Sequence, residues 1–279
     1  MENFIEVMKW PLIASLLLPG LLVYLGLHIV RRGIIFVDLA LAQVAALGAC
    51  VSILQGYESH DWQTYVWSVG FTLIGAVIFT FTRGRAHHRV PQEALIGIVY
   101  VVAAAAGIVL LSDSPNGNEE LRHTLVGELL HLQKPEHVLR PFALYAVIGL
   151  VHWIFRRQFL ALSFEPEGAV AEKLSLRWWD FWFYALFGAV VTTFVQIGGV
   201  LLVFSYLIVP AVCANFLSRK LGALFLIGWV VATISSVVGL YASSQFDWPT
   251  GAAIVCTLGV ALILTGVLAR IRKADKGLS

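Results

Sequence analysis

The chain has 279 residues, of which 59% are hydrophobic and 13% charged, with a mean hydropathy of +0.82. Those proportions exclude an ordinary water-soluble globular domain, and a formal net charge of +2 gives no reason to expect a nucleic-acid partner. Apolar runs of about 18 residues or more recur along the whole sequence, the length a helix needs to cross a bilayer, so an all-α, polytopic membrane helical bundle of about eight or nine transmembrane helices is expected.

Nine apolar segments follow one another, at roughly 10–30, 34–54, 65–82, 94–112, 138–155, 181–196, 200–217, 223–243 and 251–269. The start of the chain carries Glu2 and Glu6 where a cleavable signal would be basic, so no such signal is expected. If the segments alternate sides, Lys9, Arg122, Lys134 and Arg140 fall on one side. The other fifteen of the nineteen lysines and arginines, from Arg31 to Lys276, fall on the opposite side. By the positive-inside rule those fifteen are cytoplasmic, the N-terminus lies outside and the C-terminus inside. The longest outer loop, 113–137, holds His123, His131 and His137, and the longest inner loop, 156–180, is charged and helix-compatible. No internal repeat or linker divides the chain, so residues 1–279 read as a single transmembrane domain. Cys50, Cys213 and Cys256 sit in apolar segments at unrelated spacing, as packing residues do.

The second segment, IIFVDLALAQVAALGACVSIL, contains one acid, Asp38. A carboxylate within the bilayer costs about 2.5–3.5 kcal/mol on insertion scales, and is kept mainly where it faces a bundle interior, a watery path or a partner. Asp38 is therefore the leading candidate for binding a cation or a proton. The plain alternatives are an ion pair with Arg31 or Arg32, the latter about 9–10 Å away along a helix, or a cap on a broken helix. Gln43 is five positions on, an offset of about 140°, so the two share no helix face. His28 and His152 lie near the cytoplasmic ends of their segments and read as interfacial, hydrogen-bonded histidines. Glu128 and His131 are one turn apart, as in di-iron bundles, but a single copy in an outer loop reads better as a solvated amphipathic turn. Zincin, nucleophile-elbow and phosphate-loop motifs are all missing, so an ATPase driving transport would have to be another chain. Gln196-Ile-Gly-Gly and Pro210 interrupt the seventh region, where a kink at Pro210 or ordinary small-residue packing is expected.

Several stretches occur together in one order: RRGIIFVDLALAQVAALGA, EALIGIVYVVAAAAGIVLLS (93–112), LVGELL (125–130), FEPEGAVAEKLS (164–175), VQIGGVLLVFSYLIVPAVCA (195–214) and SVVGLYASSQFDWPTGAAIV (236–255). This ordered set resembles the permease subunits of ABC importers for zinc, manganese or iron. The resemblance implies a non-enzymatic transport subunit in a bacterial cytoplasmic membrane. Its partners would be an ATP-binding ABC subunit, an extracytoplasmic metal-binding protein and a second copy of itself. No permanently bound cofactor is implied; a divalent metal ion is the substrate.

That family carries a pattern like G-D-A-L-S-H-A-x-L-P-G, whose Asp–His pair is thought to bind metal in the pathway. Aligned without a gap on Gly48, Gln43 takes the place of the histidine and Leu39 that of the aspartate, while Asp38 comes one residue earlier. The resemblance thus implies metal-ligating roles for Asp38 and Gln43. An amide oxygen is a harder, weaker donor than imidazole, which disfavours tight zinc binding and is compatible with manganese or iron. The resemblance also implies that the segment with Glu165, Glu167 and Ala169 docks on the ATPase, where Lys173 replaces a usual glycine. Two other readings stay open at this point: an ABC permease for a siderophore or vitamin, and a proton-coupled secondary metal carrier. An intramembrane enzyme would need a second buried group near Asp38.

Overall fold

The computed structural model describes residues 2–58, 61–83, 91–112, 135–164 and 174–277. Among these residues the chain forms nine helices: α1 (Glu2–Arg32), α2 (Val37–Leu54), α3 (Trp62–Arg83), α4 (Gln92–Leu111), α5 (Pro135–Ile154), α6 (Arg156–Phe164), α7 (Leu176–Leu217), α8 (Leu221–Phe246) and α9 (Thr250–Gly277). All but the short α6 are long and apolar enough to cross a membrane, which gives 8 candidate spans among the described residues.

The 42 residues of α7 would reach about 63 Å as a straight rod, twice the hydrocarbon thickness of about 30 Å. They do not run straight. Gly199, at φ 73 and ψ 164, has non-helical dihedrals that only glycine adopts readily. Across this break the rings of Phe194 and Tyr206 lie 5.9 Å apart, although twelve helical residues would separate them by about 18 Å. The end of α1 touches both arms: Arg32 pairs with Asp180, and Leu27 packs with Ala211 and Ala214. The chain therefore folds back at Gly199 without a loop, into arms 176–198 and 200–217 of about 34 and 27 Å. Counting both arms, the described helices make nine crossings, in register with the nine apolar segments. The break falls at Gly199, while Pro210 stays within helical dihedrals.

Gly199→Ala should destabilise the protein by about 1–3 kcal/mol, the cost of holding a side chain in a glycine-only region. Thermal unfolding in detergent checks this, and an unchanged midpoint would mean that the fold-back tolerates a Cβ.

Burial separates inner from outer helices. The apolar window of α7 is 72% buried and that of α9 only 17%, so α7 forms the centre and α9 lies at the periphery. Phe183, Tyr184, Phe187, Phe194 and Tyr206, all on α7, are fully buried and fill the core against α1 and α2. Such aromatics each bury a large area, and the hydroxyls find partners: Tyr206 meets Ser236 at 2.6 Å on α8. Thr72 of α3 and Thr192 of α7 meet at 2.8 Å, tying α3 to the same centre. Helices approach closely where side chains are absent. A Cβ on Gly48 of α2 would lie 2.6 Å from the carbonyl of Trp67 on α3.

At one end of the bundle α1 finishes at Arg32, a turn through Gly33 (φ 66) follows, and α2 begins at Val37. The helix expected from residue 34 thus starts three residues later. The first turn of α4, the short α6 and the start of α7 gather at this same end, where Glu93, Ser163 and Asp180 make their contacts. The opposite end holds the α2–α3 connection, pinned by Ser52 to Thr64 at 2.9 Å.

Candidate functional site

Asp38 lies in the first turn of α2 and is 1% exposed. The backbone amides of Asp38 and Leu39 face its carboxylate, yet neither oxygen has a partner at hydrogen-bond geometry. A carboxylate at a helix N-terminus gains about 0.3–1 kcal/mol from the helix dipole, and up to about 2 when partly buried. That is less than the insertion cost of about 2.5–3.5 kcal/mol. The charge nearest in effect is Glu93, on the first turn of α4, and it repels. Glu93 Oε1 accepts a hydrogen bond from the Ile35 amide, which holds it against the turn leading into α2. The backbone has thus collected two acids at one place and left the buried one unmatched.

Arg32 does not supply the missing charge. Its Nη1 donates to Asp180 Oδ1 at 2.9 Å, and both side chains are only 2% exposed. Its Nε donates to Ser163 Oγ at 2.8 Å, and its guanidinium stacks over the Phe183 ring at 3.7 Å. Ser163 also shares a 2.8 Å hydrogen bond with His28 Nδ1. His152 Nδ1 meets the Tyr24 hydroxyl at 3.4 Å and its ring stacks on Phe159 at 4.2 Å. This cluster ties α1, α5, α6 and α7 together. The pairing of Asp38 with Arg31 or Arg32, the plain alternative from the sequence, is not the one formed: Arg32 turns to Asp180 on α7.

Gln43 is also buried, at 8% exposure, five residues further along α2. The two candidates therefore sit about 7.5 Å apart along one helix, and the acid whose charge acts on Asp38 is Glu93, held at the Ile35 amide. No group of three or more His, Cys, Asp or Glu that could hold a metal ion occurs among the described residues. Cys50 and Cys213 are buried and Cys256 is exposed, each as a thiol outside any disulfide. Glu128, His123 and His131 lie outside the described residues, as do Glu165, Glu167 and Ala169 of the expected ATPase-docking segment. Helices α6 and α7 bracket that segment, so its anchors are fixed at the Arg32 end of the bundle.

Sequence reasoning missed Glu93 and Asp180. Each is the first acid beside an apolar run, but its partner is 58 or 148 residues away, a pairing only the fold reveals.

Comparison with known proteins places this architecture. The model of a family described as the ABC 3 transport family matches residues 4–269, nearly the whole chain. The chain belongs to the ABC 3 transport family. Among proteins similar to this family member, the manganese transport system membrane protein MntC of Listeria innocua is 27% identical over 245 residues, covering 88% of this chain and 84% of its own. The manganese import system permease protein ScaB of Streptococcus gordonii is 25% identical, again over 88% and 84%. A solved structure, PsaBC from Streptococcus pneumoniae in complex with Fab, superposes with a TM-score of 0.79 at 23% identity, covering 95% of this chain and 94% of that one. At that identity it supports the fold: the ABC 3 chain is a polytopic helical membrane bundle, as its composition requires.

Proposed function

We propose that this ABC 3 family member is the membrane-spanning permease of an importer for a divalent transition metal, powered by a separate ATPase and fed by an extracytoplasmic binding protein. The observation that carries this reading is the family match across residues 4–269, shared with relatives named for manganese transport. Asp38 lines the ion path, since an ion passing beside it supplies the positive charge that the protein does not. Gln43 stands deeper in the membrane on the same route. Manganese or iron suits these oxygen donors better than zinc. The segment 164–175, with Glu165, Glu167 and Ala169, docks on the ATPase, and two copies of the permease form the transporter. ATP hydrolysis belongs to the partner chain.

Reconstituted vesicles holding the permease, its ATPase and the binding protein test the reading. Uptake of radioactive manganese should require ATP inside the ATPase-bearing compartment. Uptake driven by a proton gradient alone would establish a secondary carrier, and uptake of a siderophore or vitamin without metal transport would move the substrate class.

The orientation follows from charge. The basic residues concentrate at the end of the bundle where α1 finishes, so that end faces the cytoplasm in the bacterial inner membrane, with the N-terminus outside and the C-terminus inside. Single cysteines placed at residue 86 and after residue 269 should stay unmodified when intact cells meet an impermeant thiol reagent. Labelling of residue 86 from outside reverses the assignment.

A further inference from the structure

The acid whose charge acts on Asp38 comes from another helix. Glu93 opens α4 as Asp38 opens α2, so two carboxylates from two first turns converge where α1 turns into α2. Asp38 is 1% exposed and both its oxygens lack a hydrogen-bond partner. Glu93 is half-buried, and its Oε1 is fixed by the Ile35 amide three residues before Asp38. Arg32, the nearest basic residue in sequence, is engaged with Asp180 and Ser163. Two like charges at a low-dielectric site raise each other's cost, and a cation between them removes both the repulsion and the desolvation.

We propose that Glu93 is the second acidic donor to a divalent ion held at Asp38, forming a two-carboxylate site at the end of the path where the ion leaves. The proposal rests on the reading that Asp38 lines that path. Carboxylate oxygens from two helices select a hard ion such as Mn2+ over the softer demands of zinc, which favours imidazole and thiolate. The same place is also built to let go. Both acids sit at helix N-termini, where the positive ends of the two dipoles oppose a cation. The net attraction is reduced, as release to the cytoplasm needs. Gln43, a neutral amide further along α2, serves as an earlier stop.

Glu93→Gln separates charge from structure, since the amide oxygen can still accept from Ile35. The purified full-length chain in lipid nanodiscs is titrated with Mn2+, and free ion is read by electron paramagnetic resonance. Glu93→Gln should weaken binding by about tenfold or more, on the scale of losing a supporting group at a metal site, and Asp38→Asn by at least as much. Wild-type affinity in Glu93→Gln with binding lost in Asp38→Asn would overturn the role of Glu93 and leave Asp38 on the path. Wild-type affinity in both would remove the parent reading as well. A second measurement needs no variant. Mn2+ should protect both Glu93 and Asp38 of the wild-type protein from a membrane-permeant carbodiimide, followed residue by residue in peptide masses. Modification of Glu93 at the same rate with and without Mn2+ would overturn the proposal.

Discussion

Asp38→Asn should reduce metal uptake to background while leaving the protein at least as stable as the wild type. The substitution keeps shape and removes a charge that has no hydrogen-bond partner and is 1% exposed. If that carboxylate held the fold together, its loss would destabilise; here its loss relieves part of an insertion cost of about 2.5–3.5 kcal/mol. Function and stability therefore move in opposite directions, which a structural carboxylate cannot imitate. The measurements are manganese uptake in cells or vesicles, and the thermal midpoint of the purified protein. Wild-type uptake by the variant would make Asp38 a tolerated buried acid and nothing more. Gln43→His, which restores the donor the family pattern has there, should move preference toward zinc in the same uptake assay.

Asp180→Ala carries the largest expected stability loss. It leaves the Arg32 guanidinium buried at 2% exposure with its carboxylate partner gone, a situation that costs about 3–5 kcal/mol. Replacing both members, as Arg32→Met with Asp180→Leu, should recover most of that loss, because a well-packed apolar pair is often neutral or stabilising. Thermal or denaturant unfolding of the two variants tests the contrast. A loss below about 1 kcal/mol in Asp180→Ala would mean that water reaches Arg32, since exposed pairs are worth that little. The double variant also separates stability from coupling. Arg32 holds Ser163, one residue before the end of α6, and so steadies the chain entering the expected ATPase-docking segment. A stable double variant whose partner ATPase hydrolyses ATP without metal being moved would assign that tether to transmission.

Much of this was legible in the sequence, for reasons particular residues make clear. Apolar length is a local property, so all nine crossings could be drawn, and Gln196–Gly199 already marked the interruption between two of them. What the segment lengths could not show is that one glycine suffices for the reversal. Asp38 stood out because an acid in an apolar run is visible without a fold. Its surroundings were not visible: the sequence offered Arg31 and Arg32 as neighbours, and α7 took Arg32 for Asp180 instead. Glu93 reads in isolation as an ordinary acid in the first turn of a helix. Its meaning depends on α4 lying against α2, which no spacing within either segment encodes.

The place of Asp38 at the Arg32 end of the bundle has an electrical consequence. On the proposed orientation and path, an ion that enters at the α2–α3 end and reaches Asp38 would already have fallen through most of the transmembrane voltage. Each elementary charge gains about 2.3 kcal/mol per 100 mV, so a divalent ion gains about 4.6. An interior-negative cell would thus fill this position from outside far more readily than it empties it back. The resting voltage itself would act as a check valve before any nucleotide is spent.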